Sequence, residues 1–174
     1  LAFSGTTYFF ELMEQIARQG KLDEWAGYLR DVGLGQPTGI DLGSESRGIV
    51  PDSSRMNQLF GPKRWGLGDL INLGIGQGVF SVTPIQLAVT TSLIANGGQR
   101  VTPHLVSERI VGGATREILE YPSTPVTWIE KSTLEPIHKG MRAAVQNSVV
   151  SWLLEVPELE IAGKTGTAQN PRGQ

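Results

Sequence analysis

Lys164 lies among two glycines and two hydroxyls in Ala162-Gly163-Lys164-Thr165-Gly166-Thr167-Ala168. An ammonium beside hydroxyls can hold a carboxylate through charge-assisted hydrogen bonds, and glycines let a substrate or a second backbone come close. The preceding Glu158-Leu159-Glu160-Ile161 alternates polar and apolar residues, the period of a half-buried strand. A plain pleat sends Lys164 and Thr165 to opposite faces, so both serve one cleft only if the strand twists there. A Gly-Lys-Thr triplet also ends phosphate-binding loops, but such a loop needs glycine five residues before Gly163. Glu158 stands at that place and would repel phosphate. A structural strand with a solvated lysine is the reading that the triplet alone leaves open.

A second group of hydroxyls opens the chain. Ser4-Gly5-Thr6-Thr7-Tyr8-Phe9-Phe10 precedes Leu12, Met13, Ile16 and Ala17, spaced as one face of a helix. Glu11 and Glu14 come early and Arg18 late, as the helix dipole favours. Ser4 or Thr6 is expected as N-cap, and capping is the structural reading of both hydroxyls.

In Ser-x-x-Lys, Ser-x-Asn and Lys-Thr-Gly enzymes the three elements follow one another along the chain. Here the third is intact and the second is degenerate, Ser4-Gly5-Thr6, in the right order. Between them stand Pro37-Thr38-Gly39-Ile40-Asp41-Leu42, Gly74-Ile75-Gly76-Gln77-Gly78, Val82-Thr83-Pro84-Ile85-Gln86-Leu87-Ala88 and Ile94-Ala95-Asn96-Gly97-Gly98. Together these resemble the transpeptidase domain of class B penicillin-binding proteins, most of all the penicillin-binding protein 2 branch, from Ser4 to about Gln169.

The resemblance implies serine acyl transfer between peptidoglycan stem peptides and acylation by β-lactam antibiotics, with no cofactor and no metal. It assigns Ser4 a proton-relay role and Lys164 the potential that fixes the donor carboxylate. Thr6, Thr165, Gly166 and Thr167 fall in the substrate-binding set, Thr167 through a backbone N–H of the oxyanion hole. Thr6 departs from the pattern, where Asn or Asp is usual; one hydroxyl on a short stem cannot match an amide's reach.

No serine has a lysine three residues on, so the nucleophile is expected before Leu1. Residues 1–174 are expected to be an interior part of one transpeptidase domain, inactive alone, lacking the Ser-x-x-Lys segment and the C-terminal strands. The implied fold is α+β, β-lactamase/transpeptidase-like: mainly the helical part plus the Lys-Thr-Gly strand of the antiparallel sheet. The parent is expected on the extracytoplasmic, periplasmic side of the bacterial inner membrane, anchored by an N-terminal helix and working with cell-wall elongation proteins. A serine β-lactamase or D,D-carboxypeptidase shares the motifs, but residues 74–88 and 37–42 argue for the transpeptidase. A non-catalytic module of the same fold is the other alternative, and Thr6 is its one hint.

Composition fits this frame. Hydrophobic residues make up 39% and charged residues 18%, as in a globular protein. A net charge of −2 gives no nucleic-acid footprint and no polybasic membrane patch. With no cysteine there is neither disulfide nor thiolate site. His104 and His138 lack metal-ligand spacing and read as surface or packing residues.

The positioning elements follow from periodicity and caps. The first helix should stop at Gly20 and a second, over 22–32, at Gly33. Residues 35–54 read as a long loop and 55–68 as a poorly periodic segment anchored by Trp65. The 74–78 glycines miss the dinucleotide spacing by one residue and read as a tight turn. Thr83-Pro84-Ile85-Gln86 is a capping box opening a helix apolar on much of its surface, expected to be buried and central. Residues 101–111 read as extended and 118–128 as irregular. Ser132-Thr133-Leu134-Glu135 is a second expected capping box, with Leu134, Ile137, Met141 and Val145 inward. Residues 149–154 show no clear period.

Overall fold

The structure, a computed structural model, describes residues 5–148, 151–154, 156 and 158–166. It is α+β: helices carry most of the chain and two small antiparallel pairs supply the strands.

Helix α1 (Thr6–Arg18) and α2 (Leu22–Asp31) form over the predicted periodic runs. The N-cap of α1 is Gly5, with no side-chain capping bond. Thr6 is thus the first helical residue rather than the cap, and Ser4 lies outside the described residues. The stop at Gly20 is as expected. Its φ of 65° suits a residue without Cβ, and Gly20 and Lys21 donate their N–H groups to the Ala17 and Ile16 carbonyls at 3.1 and 2.9 Å. Gly33 and Leu34 close α2 in the same way.

Two short helices occupy the region that shows little periodicity. In α3 (Ser53–Phe60) the Asp52 carboxylate accepts from Arg55 N–H at 2.8 Å. In α4 (Leu67–Gly74) Asp69 accepts from Gly66 N–H at 2.9 Å. Two turns are too short for a face to repeat, so the acidic caps are their main sequence signal. Trp65 is the anchor expected: it packs on the core and its Nε1 donates to Asn57 Oδ1 at 2.8 Å.

Met13, Leu22, Met56, Leu70 and Leu73 form one buried cluster, and Ala26, Leu34 and Val50 a second. Trp25 and Phe80 pack against both, their rings 6.4 Å apart. At Gly74 a Cβ would collide with Met13 Cγ and lie 3.0 Å from the Phe9 carbonyl. That glycine sets how closely α4 approaches α1; Gly76 and Gly78, with φ of 73° and 76°, form the expected turn.

Helix α5 (Pro84–Ala95) starts at the predicted capping box: Gln86 N–H donates to Thr83 Oγ1 at 3.3 Å and Thr83 N–H to Gln86 Oε1 at 3.1 Å. It is not buried all round. Gln86, Val89 and Leu93 face inward, while Leu87 is 51% exposed. The helix packs against the ribbon that follows it. That ribbon pairs β1 (Gln99–Arg100) with β4 (Thr124–Pro125), placing Arg100 opposite Thr124.

Strands β2 (Glu108–Val111) and β3 (Thr115–Ile118) make a hairpin exposed along both strands, with Arg109 opposite Glu117 and Ile110 opposite Arg116. Leu119 N–H continues the ladder to the Ser107 carbonyl at 2.9 Å. Helix α6 (Lys131–Gln146) buries Leu134 and Val145. It starts at the N-cap Glu130 without a side-chain capping bond, which places Ser132 inside the first turn, its Oγ donating to the Glu130 carboxylate at 3.1 Å. The capping box expected at 132–135 therefore does not form. A short α7 (Ser151–Leu154) follows.

The Lys-Thr-Gly segment is expected as a strand, but residues 159–166 pair with no strand among the described residues. A strand is defined by its ladder, and the alternation at 158–161 specifies only one partner face, not the partner. The segment lies on α6 instead.

Candidate active site

Helix α6 holds that segment through its backbone. Gly163 N–H donates to the Met141 carbonyl at 3.1 Å, and Arg142 Nη1 donates to the Ile161 carbonyl at 2.7 Å. A Cβ on Gly163 would come within 3.6 Å of Val145 Cγ2, so the glycine backbone rests on the helix surface. Ala144, Val145, Ser148, Ile161, Gly163 and Lys164 line, with Thr165, a cavity of about 280 Å³.

Lys164 and Thr165 converge. Lys164 Nζ donates to Thr165 Oγ1 at 3.1 Å and to the Thr165 carbonyl at 2.9 Å. The opposite-face problem of a pleated strand does not arise here, because the segment is not pleated into a ladder. A cation and a hydroxyl within one hydrogen bond of each other can bind both oxygens of one carboxylate. Both residues are exposed. Around Gly166 nothing lies within 4 Å of where a Cβ would sit, which leaves open space beside its backbone.

Thr6 sits in the first turn of α1, exposed, on a helix packed against α4 and α2. The two parts of the expected site thus belong to separate packed elements, α1 and the segment on α6. Ser4 and Thr167 lie outside the described residues.

A polar framework supports the loop between α2 and α3, and the sequence disclosed only part of it. Gln86 is fully buried, and its Nε2 donates to the Gln36 and Arg47 carbonyls at 2.7 and 2.9 Å. The capping box signalled Gln86 as an N-terminal residue of α5 but not as the tie to a loop some 40–50 positions back. Glu45 accepts from Thr38 and Gly39 N–H groups at 2.8 and 3.2 Å. Burial pushes its pKa up, but hydrogen bonds from the Thr38 side chain and these amides outweigh it, and the net shift is downward. Asp41 accepts from Val106 and Leu105 N–H at 2.9 and 2.8 Å, and those bonds hold its carboxyl below the ordinary value. Tyr121 adds a longer bond to Asp41 at 3.3 Å.

Among the described residues no group of three His, Cys, Asp or Glu could hold a metal ion. His104 stacks on Tyr121 with centroids 3.9 Å apart, and His138 Nε2 donates to the Ile94 carbonyl at 2.6 Å. No helix among the described residues is long and apolar enough to cross a membrane.

The chain belongs to the family of the penicillin binding protein transpeptidase domain, whose profile matches residues 2–173. Within that family it is similar to the peptidoglycan D,D-transpeptidase MrdA of Acinetobacter baumannii, with 32% identity over 97% of this chain and 24% of that protein. Among solved structures it is similar to a penicillin-binding protein (PBP2) from Helicobacter pylori: 32% identity, TM-score 0.76, 96% of this chain and 29% of that one. The same bacterium's complex between penicillin-binding protein (PBP2) and MreC aligns with TM-score 0.72 and 32% identity, over 94% of this chain and 28% of the other. The chain spans about a quarter of the length of the curated relatives it matches.

Proposed function

We propose that this chain is part of a peptidoglycan D,D-transpeptidase of the penicillin-binding protein 2 type, and that Lys164 and Thr165 grip the donor's terminal carboxylate. The observation that carries the reading is the family match, which runs unbroken through both motif regions to residue 173. The convergence of Lys164 Nζ and Thr165 Oγ1 supports the grip.

In this reading a serine of a Ser-x-x-Lys element attacks the penultimate D-alanine carbonyl. The carbon–nitrogen bond breaks, D-alanine leaves with the proton, and the amine of a neighbouring peptide then displaces the serine from the acyl-enzyme. Ser4 relays the proton to the leaving amine. The Thr167 N–H is one arm of the oxyanion hole, Thr6 takes a reduced share of substrate binding, and Gly166 keeps the approach open. A β-lactam enters as the donor's mimic. Residues 1–174 make up part of one transpeptidase domain and do not turn over alone. The complete enzyme acts on the extracytoplasmic face of the inner membrane with cell-wall elongation proteins, a partnership supported by the similarity to a PBP2 solved with MreC.

The test is stopped-flow acylation by a fluorescent penicillin, using the full-length protein that carries this segment. One charge-assisted hydrogen bond is worth about 1.5–3 kcal/mol, so Lys164→Ala should slow acylation roughly ten- to a hundredfold. Ser4→Ala should slow it as well, and Thr6→Ala should do little. Acylation unaffected by both Lys164→Ala and Ser4→Ala would remove the assignment.

A further inference from the structure

We infer that the cleft between the end of α2 and the β1–β4 ribbon binds an amino-sugar chain. It rests on the proposed function only for which saccharide the protein meets. The site is a cavity of about 190 Å³ walled by Asp31, Arg100, Thr124, Thr127 and Trp128. Three elements build it. The cross-strand pair sets Arg100 beside Thr124, α2 ends on Asp31, and the turn before α6 carries Trp128.

Its chemistry is that of a polyhydroxyl ligand. Trp128 is 43% exposed and Tyr28 45%, their rings in edge contact at 5.1 Å. Trp128, in the wall of the cleft and braced at its edge by Tyr28, presents a rigid apolar ring at the water boundary, against which the C–H face of a pyranose can lie. Around it polar groups are held but not used up. Trp128 Nε1 donates to Asp31 Oδ2 at 3.0 Å, and Arg100 Nη1 donates to the Asp31 carbonyl at 3.2 Å. Asp31 Oδ1, the remaining Arg100 N–H groups and the Thr124 and Thr127 hydroxyls have no partner among the described residues. A fixed acceptor, a planar donor fork and two hydroxyls match the vicinal hydroxyls and acetamido group of an N-acetylhexosamine.

Two further observations fit. Asp31 is the last residue of α2, where a carboxylate opposes the helix dipole; such a local cost is expected where a residue serves something other than its helix. A second hollow of about 140 Å³, lined by Gln36, Thr38 and Thr102, shares Arg100 and Thr124 with the first. Two hollows that share Arg100 and Thr124, the first also lined by Pro125 and Val126, suit a chain of more than one sugar. Arg100 lies on the ribbon and the Lys164 segment on α6, so the cleft would take the glycan rather than the stem peptide.

The probe is the β-1,4-linked tetramer of N-acetylglucosamine, titrated into the full-length protein that carries this segment while the Trp128 indole N–H resonance is followed. Saturable shifts with a dissociation constant on the order of 1 mM are expected, weakened at least about tenfold in Trp128→Ala and in Arg100→Ala. Arg100→Ala leaves the aromatic pair intact and keeps the test decisive if Trp128→Ala does not fold. No shift at saturating tetramer, binding retained in both variants, or a D-alanyl-D-alanine peptide moving this resonance in the tetramer's place would each overturn the inference. Arg100→Ala in the full-length protein should leave penicillin acylation unchanged. Failure of the unaltered protein to bind the tetramer would thus sink the glycan cleft alone, and a failed acylation test would sink the transpeptidase reading alone.

Discussion

Around Gln86 the chain is fixed by side chains reaching across the sequence, whereas the segment carrying Lys164 rests on a neighbouring helix through its own backbone. Gln86 is fully buried and ties α5 to Gln36 and Arg47. Lys164 is exposed, on a stretch moored by the Gly163 and Ile161 hydrogen bonds to α6. The first region invests its polar groups in holding shape; the second leaves an ammonium where a ligand can reach it. Substitutions in the two regions should therefore separate stability from chemistry.

The largest effect is expected at Gln86. Gln86→Leu leaves the Gln36 and Arg47 carbonyls and the Thr83 N–H without their partner. At about 1–3 kcal/mol for each stranded group the loss should be on the order of 3 kcal/mol. For a chain of this size that lowers the melting temperature by roughly 10 °C. Calorimetry would read it, and acylation per folded molecule of the full-length protein should hardly change. A melting point within a degree or two of the parent's would mean that the loop is held by something other than this glutamine.

A smaller effect, on chemistry rather than stability, is expected from Arg142, which positions Lys164 through the Ile161 carbonyl. Arg142→Ala should cost about 1 kcal/mol, seen as a roughly fivefold slower penicillin acylation in the full-length protein. The melting point should barely move, and Arg142→Lys should restore part of the rate. Equal losses of rate in the lysine and alanine variants would show that the guanidinium's bond is not what matters.

The smallest effect is local and set by pH. Val106 and Leu105 N–H groups lower the Asp41 pKa below its ordinary 3.8. A depressed carboxyl contributes stability that is present above the unfolded value and lost as pH falls through the folded one. Amide exchange at Leu105 and Val106 should accelerate below about pH 4, while the α1–α4 core stays protected. Exchange at these amides that ignores pH in that range would sever the link to Asp41.

Much of the first region could be read in advance. The Thr83–Gln86 box, the Gly20 and Gly33 stops and the inward face of α6 are local signals: a cap, a left-handed residue, a repeat of 3.6. Helices α3 and α4 escaped because two turns repeat no face, and their acidic caps stand in a glycine-rich stretch that also reads as turns. Strand β2 falls within the stretch read as extended, but β3 and the pairing of the two were hidden because neither strand has a buried side and alternation was absent. At the candidate site the Lys-Thr-Gly motif was legible from residue types. Its conformation was not, since pairing depends on a partner that no local pattern names.

The hairpin register also bears on how copies of the protein meet one another. Arg109 faces Glu117 and Ser107 continues the hydrogen-bonded set, so the N–H and C=O groups of Arg116 and Ile118 point away from β2. Two copies joining along β3 in antiparallel fashion must match outward residues with outward residues. Centred on Arg116 that sets arginine against arginine; centred on Glu117 it sets glutamate against glutamate. Like charges directly opposite are destabilising. Of the four charges that form the Arg109–Glu117 and Arg116–Glu108 pairs within one hairpin, the two on β3, Arg116 and Glu117, repel a second hairpin in these two registers and so narrow the strand-to-strand pairings that an exposed sheet margin invites.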